Sequence, residues 1–141
     1  MQQTYEELYP GGTFSHLANT VEQYCSSETP IWWVELAEGQ DGGATLLSGQ
    51  TYLKPVGCLW LGNAIDQATG ERQAHVFLLY VAPNHRHQGI GSALLHQAET
   101  WAKSSGARQI GLQVFETNQP ALSLYRSRGY QTKSLWLAKP L

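Results

Sequence analysis

The stretch Val76–Val81, read VFLLYV, constrains the fold of this chain more than any other. A short apolar run rich in branched and aromatic residues predicts a central strand covered on both faces. Pro83 ends it. The loop Arg86-His87-Gln88-Gly89-Ile90-Gly91 follows. Beyond it a helical pattern sets Ile90, Leu94, Ala98, Trp101 and Ala102 on one face, and Gly106 closes it. Strand, loop and helix in that order predict a sheet with a helix laid on it.

The flanking segments extend this layer. Residues 2–9 predict a short helix stopped by Pro10-Gly11-Gly12. Phe14, Leu17, Ala18, Val21, Tyr24 and Cys25 recur at helical spacing, with Thr13 placed to cap them. Strands are predicted over Ile31–Leu36, Val56–Leu61, Ile110–Phe115 and Tyr130–Ala138, and a turn over Asp66–Gly70. Glu38–Gln50 reads as a long glycine-rich connection. Asn118–Arg128 predicts a helix, with Asn118 or Gln119 as cap, Pro120 in the first turn and Gly129 as terminator. The expected architecture is mixed α/β, in a single domain spanning 1–141.

Composition narrows the function classes. Of 141 residues, 42% are apolar and 14% charged, which suits a globular domain. A formal net charge of -2 points to neither a nucleic-acid arm nor a basic membrane patch, although it averages over any local basic cluster. No apolar stretch approaches the ~18 residues of a membrane helix, and no basic segment leads into an apolar run at the N-terminus. A soluble cytoplasmic protein is expected. Cys25 and Cys58 form no CxxC pair and are expected as reduced, buried thiols. Five histidines at irregular spacing make no metal motif, so no metal is expected.

The chemistry concentrates after the central strand. A helix N-terminus carries backbone N–H groups without internal partners and the positive end of the dipole. Glycines let a phosphate approach such a backbone closely. Arg86 and His87 add donors there. A Gly-x-Gly before a helix is also compatible with a plain tight turn. The dinucleotide fingerprint is absent, since Leu94 stands where GxGxxG needs a small residue, and so is the P-loop pattern GxxxxGK[ST-type].

The run Leu79–Leu95, with Gln88-Gly89-Ile90-Gly91 at its centre, resembles motif A of the GNAT superfamily of N-acetyltransferases. Asn118–Tyr130 resembles that superfamily's motif B, Asn-x-x-Ala-x-x-Leu-Tyr-x-x-x-Gly-Phe, with Tyr130 in the place of Phe. The resemblance spans roughly 54–138. It implies a mixed, mostly antiparallel central sheet flanked by helices. It also implies direct acetyl transfer from acetyl-CoA to a primary amine of a small molecule or a protein. An acyl-CoA-binding module without turnover is the alternative. By resemblance, the backbone of Leu79 and Val81 pairs with the pantetheine arm, N–H groups from Gln88 through Gly89, Ile90 and Gly91 to Ser92 hold the pyrophosphate, and Asn118 bonds the arm. Tyr125 protonates the departing thiolate; its bare alternative is a core aromatic.

The amine must lose a proton to a group titrating near neutrality. Period-2 alternation puts His75, Phe77, Leu79 and Val81 on one face, and in the histone-acetylating branch of the family a carboxylate base occupies a position resembling His75. The other reading of His75 is a polar residue at an exposed strand start. Glu116, at the end of the next strand, and Glu35 are further candidates, as is a water chain. Tyr5, Tyr9, Trp32, Trp33 and Tyr52 lie in the segments that would set the acceptor. Relatives begin with a strand, whereas helical sequence here starts near Met1. That first strand is expected to be missing or cut off, and the open sheet edge it leaves invites a homodimer.

Overall fold

The computed structural model describes residues 1–36, 45–47, 50–52 and 54–141. In chain order it forms α1 (Gln2–Leu8), α2 (His16–Tyr24), β1 (Ile31–Glu35), β2 (Thr45–Leu47), β3 (Gln50–Tyr52), β4 (Pro55–Ile65), β5 (Arg72–Val81), α3 (Ile90–Ser104), β6 (Gln109–Leu112) and α4 (Gln119–Ser127). The main sheet has the order β1-β4-β5-β6. β1, β4 and β5 run antiparallel, and β6 joins β5 in parallel. β2 and β3 form a separate antiparallel pair inside the glycine-rich connection; the rest of that connection lies outside the described residues. The mixed, mostly antiparallel sheet is therefore present, and no strand precedes α1 among the described residues.

The core lies between one sheet face and α3. Leu59, Leu61, Ala74 and Val76 meet Leu94, Leu95, Ala98 and Ala102. Leu59, Leu61 and Leu95 are wholly shielded, and each such leucine contributes about 1.5–3 kcal/mol from burial. Helical spacing on α3 and two-residue spacing on the strands bring these side chains to one layer.

One irregularity resets the strand pattern. Trp60 pairs with Leu78 but Leu61 pairs with Val76, so Phe77 is an extra residue in β5. A bulge of this kind shifts the alternation by one. Ala74, Val76 and Leu79 accordingly pack on the α3 side. Phe77 turns to the opposite face, its ring 4.9 Å from Trp60, 5.5 Å from Tyr24 and 5.1 Å from His75. The four-residue face predicted for His75, Phe77, Leu79 and Val81 is thus split, with His75 and Phe77 on the α2 side. Gly62 makes room for this: a Cβ there would run into the edge of the Phe77 ring at Cε2.

Other boundaries move for local reasons. α2 starts at His16 with Ser15 at its cap and no capping side chain, so Thr13 and Phe14 lie outside it. Of its apolar face only Leu17 is buried, and Cys25 is exposed, whereas Cys58 is buried; both thiols are free. β6 stops at Leu112, leaving Phe115 beyond it. The strand expected over Tyr130–Ala138 does not form. Leu135, Trp136 and Leu137 are 79%, 88% and 86% exposed. Branched and aromatic content does not make a strand without a partner to pair with. The Asp66–Gly70 turn does form, with Asp66 Oδ1 accepting from the N–H groups of Ala68 and Thr69. Among the described residues no helix is long and apolar enough to cross a membrane.

Candidate active site

The loop between β5 and α3 is built to expose N–H groups. His87 and Gly89 both adopt left-handed backbone, with φ of 60° and 84°. Gly89 reaches it without strain, whereas His87 is a non-glycine residue held there. Successive N–H groups in such a turn form an anion-binding concavity. The first hydrogen bond into α3 runs from Ala93 N–H to the Gly89 carbonyl at 2.9 Å. The N–H groups of Ile90, Gly91 and Ser92 therefore lie ahead of the helical ladder. Arg86, His87, Gln88 and Gly89 are exposed, so an anion can reach them.

An open strand edge leads to this loop. Ala82 N–H donates to the Val56 carbonyl at 2.7 Å, so the peptide groups of Ala82 face β4. Peptide groups alternate sides along a strand, so those of Leu79 and Val81 face the opposite edge. β6 pairs with β5 only from Gln73 to Val76 and then ends. Past that point β5 has no strand partner on this side among the described residues. An extended ligand can add there as a strand.

α4 brings Tyr125 to the same end. Asn118 caps α4, its Oδ1 accepting from Ala121 N–H at 3.3 Å. Gly129, at φ 90°, follows the helix end. Leu124 packs so closely on the first turn of α3 that a Cβ on Gly91 would lie 3.1 Å from Leu124 Cδ2. Tyr125 packs against the core with its ring 5.8 Å from Tyr130. Burial raises its pKa, which keeps the phenol protonated. His75 is half-buried, and burial lowers its pKa, which favours the neutral imidazole.

The other acid–base candidates sit less favourably. Glu116 does not end a strand: it stands in the turn after β6, exposed, its carbonyl accepting from Gln119 Nε2 at 2.7 Å. Glu35 is on β1, which β4 separates from β5. Of the aromatics, Trp32 packs against Trp101 on the core side, while Trp33 is exposed on the other face. Nothing is described for the Tyr52 side chain.

Two arrangements were not legible in the sequence. Glu7 of α1 accepts from Arg86 Nη2 at 2.5 Å and from the Tyr80 hydroxyl at 3.2 Å. Arg86 Nε meanwhile donates to the Val81 carbonyl at 2.9 Å. On the other side of the gap, Tyr5 and Tyr9 meet Phe115 edge-on. α1 thus reaches from the end of β5 to the segment after β6, and holds the guanidinium that the sequence assigns to the phosphate. The second arrangement fixes α4 on α3. Arg128 donates to both carboxylate oxygens of Glu99, at 3.2 and 2.6 Å, and to Ser92 Oγ at 2.9 Å. Tyr130 also donates to Glu99. Both pairs join residues far apart in sequence, so no local spacing announces them.

Residues 1–130 match the acetyltransferase (GNAT) family. The chain belongs to that family. It is 33% identical over 92 residues to an uncharacterized N-acetyltransferase of Methanocaldococcus jannaschii, covering 60% of this chain and 39% of that protein. The chain spans well under two thirds of the length of the curated relatives it matches. A solved putative acetyl transferase from Pyrococcus furiosus superposes with a TM-score of 0.72 at 25% identity, covering 99% of this chain and 89% of the other. AAC(6')-Iy, solved with the bisubstrate analogue CoA-S-monomethyl-acetylneamine, shares the fold with a TM-score of 0.65 at 16% identity, over 97% and 87% of the two chains. The GNAT fold accounts for the mixed sheet.

Proposed function

We propose that this chain is a single-domain acetyltransferase that moves an acetyl group from acetyl-CoA directly to a primary amine. The observation that carries the reading is a convergence. The reading joins the N–H groups ahead of the α3 ladder, the stretch of β5 beyond its pairing with β6, and α4, whose Leu124, next to Tyr125, packs on the first turn of α3. The donor set fits the ligand: peptide N–H groups for a pyrophosphate, and an open edge for an amide-bearing arm. Acetyl-CoA supplies the activated thioester when bound.

Each residue then has a defined task. The N–H groups from Gln88 to Ser92 hold the pyrophosphate, with His87 as an added donor and Arg86 joining once it leaves Glu7. The peptide groups of Leu79 and Val81 pair with the arm, and Asn118 offers its remaining amide hydrogens to it. His75, kept neutral by burial, accepts the proton of the attacking ammonium; Glu116 is the second candidate for that role. Tyr125, kept protonated, donates to the departing thiolate. Developing charge at the carbonyl is best met by fixed donors, and the bulge at Phe77 takes one peptide of β5 out of the regular ladder.

A cytoplasmic setting is part of the proposal, since free Cys25 and Cys58 suit a reducing compartment. So is a homodimer formed across the open sheet edges. Thermal-shift titration tests the donor: acetyl-CoA should raise the melting temperature in a dose-dependent way. Stabilisation by NAD or ATP and none by acetyl-CoA would remove the reading. Binding of acetyl-CoA without amine-dependent turnover would instead favour an acyl-CoA-binding module.

A further inference from the structure

The hydroxyl groups of Thr20, Thr100, Ser104 and Ser127 turn back on their own helices, each donating to a carbonyl three or four residues earlier. Ser92 makes no such return bond among the described residues. Its Oγ instead accepts from Arg128 Nη1 at 2.9 Å. A hydroxyl has one proton to donate and two lone pairs to accept with, whereas a guanidinium only donates. Arg128 therefore occupies a lone pair of Ser92 and leaves the hydroxyl proton for another acceptor.

The place of Ser92 suggests what that acceptor is. It lies in the first turn of α3, and its N–H is one of the groups ahead of the helical ladder. Helical side chains lean toward the N-terminus, so hydroxyl and N–H border the same anion-binding turn. Ser92 is half-buried and not sealed off.

Arg128 is itself held in a fixed pose. Its Nε and Nη2 donate to the two carboxylate oxygens of Glu99, at 3.2 and 2.6 Å, and both side chains are 21% exposed. Glu99 stands two helical turns after Ser92, on the same face of α3. One planar fork can thus grip Glu99 with two donors and reach Ser92 with a third. Lysine, with a single charged nitrogen, lacks that fork.

We propose that Arg128 is a positioning residue for the acyl donor: anchored on Glu99, it orients the Ser92 hydroxyl so that its proton points at the pyrophosphate. The identity of that pyrophosphate as part of acetyl-CoA rests on the acetyl-transfer reading; the orientation of Ser92 toward a diphosphate does not. The plainer role of the ion pair, fastening α4 to α3, predicts a different outcome.

Inorganic pyrophosphate and acetyl-CoA serve as probes in calorimetric titration, beside CoA-release kinetics. Ser92→Ala should weaken both about tenfold. Arg128→Lys keeps a cation against Glu99 but not the fork, and should weaken both about three- to fivefold. In the Ser92→Ala background, Arg128→Lys should add no further loss, because it acts through the hydroxyl. In Arg128→Lys the fall in kcat/KM should be greater with acetyl-CoA than with S-acetylpantetheine, a donor without pyrophosphate, by that same factor. Additive losses overturn the proposal, as does an equal fall with the two donors; either leaves the ion pair as a fastening between helices. A wild-type protein that binds neither pyrophosphate nor acetyl-CoA removes both the proposal and the transfer reading. Coupled losses with pyrophosphate, without amine-dependent CoA release, remove the transfer reading alone.

Discussion

Arg86 cannot face Glu7 and a bound pyrophosphate at once, and this competition has a measurable size. The ion pair spans 2.5 Å, but its partners are 40% and 35% exposed. At that exposure solvent screens most of the Coulomb energy, and such pairs contribute roughly 0.2–1 kcal/mol. Glu7→Gln removes the competing charge while keeping a polar side chain that can still accept from Tyr80. Acetyl-CoA should then bind more tightly by a factor of up to about five. Titration calorimetry at low ionic strength reads the change. The gain should shrink toward 1 M salt, where the screening length falls to about 3 Å. In an Arg86→Ala background, Glu7→Gln should give a smaller gain, because the competed group is gone. If Glu7→Gln weakens acetyl-CoA binding at low salt, α1 supports the phosphate loop rather than competing with its ligand, and the reasoning fails.

Further outcomes follow from the same geometry. Tyr125→Phe should cut kcat by about tenfold to a hundredfold, with acetyl-CoA affinity preserved, as stopped-flow turnover and titration can show together. Because burial lowers the pKa of His75, the folded state prefers the neutral ring. The unfolded chain binds the extra proton first as pH falls through about 6.5, so stability drops below that point until the folded-state pKa is passed. Activity should fall in the same acid window, and in His75→Ala that acid limb of the kcat/KM profile should disappear. Gly62→Ala should cost about 1–3 kcal/mol and depress turnover. Its Cβ displaces a Phe77 ring already hemmed in by Trp60, Tyr24 and His75. Gly111→Ala, with nothing within 4 Å of the added carbon, is the matched control in thermal melts.

What the sequence disclosed was whatever local pattern controls. The VFLLYV strand, the glycine-punctuated loop and the spacing of Leu94, Ala98 and Ala102 all lie within single elements or their junctions. Asn118, Pro120 and Gly129 mark α4 for the same reason. Features set by pairing were hidden. The bulge at Phe77 depends on how β4 and β5 register, and alternation read from β5 alone puts Leu79 on the wrong side of His75. The tail from Tyr130 has strand-forming residues, yet in the structure it forms no strand. Glu7 with Arg86, and Glu99 with Arg128, depend on folding far-apart segments together. Apolar spacing in α2 predicted a buried face, yet of that face only Leu17 is buried.

Release of free CoA thiol from acetyl-CoA, followed continuously across a panel of primary amines, tests the central claim most directly. The account predicts amine-dependent release that saturates in both substrates and falls sharply in Tyr125→Phe. Saturable binding of acetyl-CoA with no amine-dependent release from any member of the panel would contradict it.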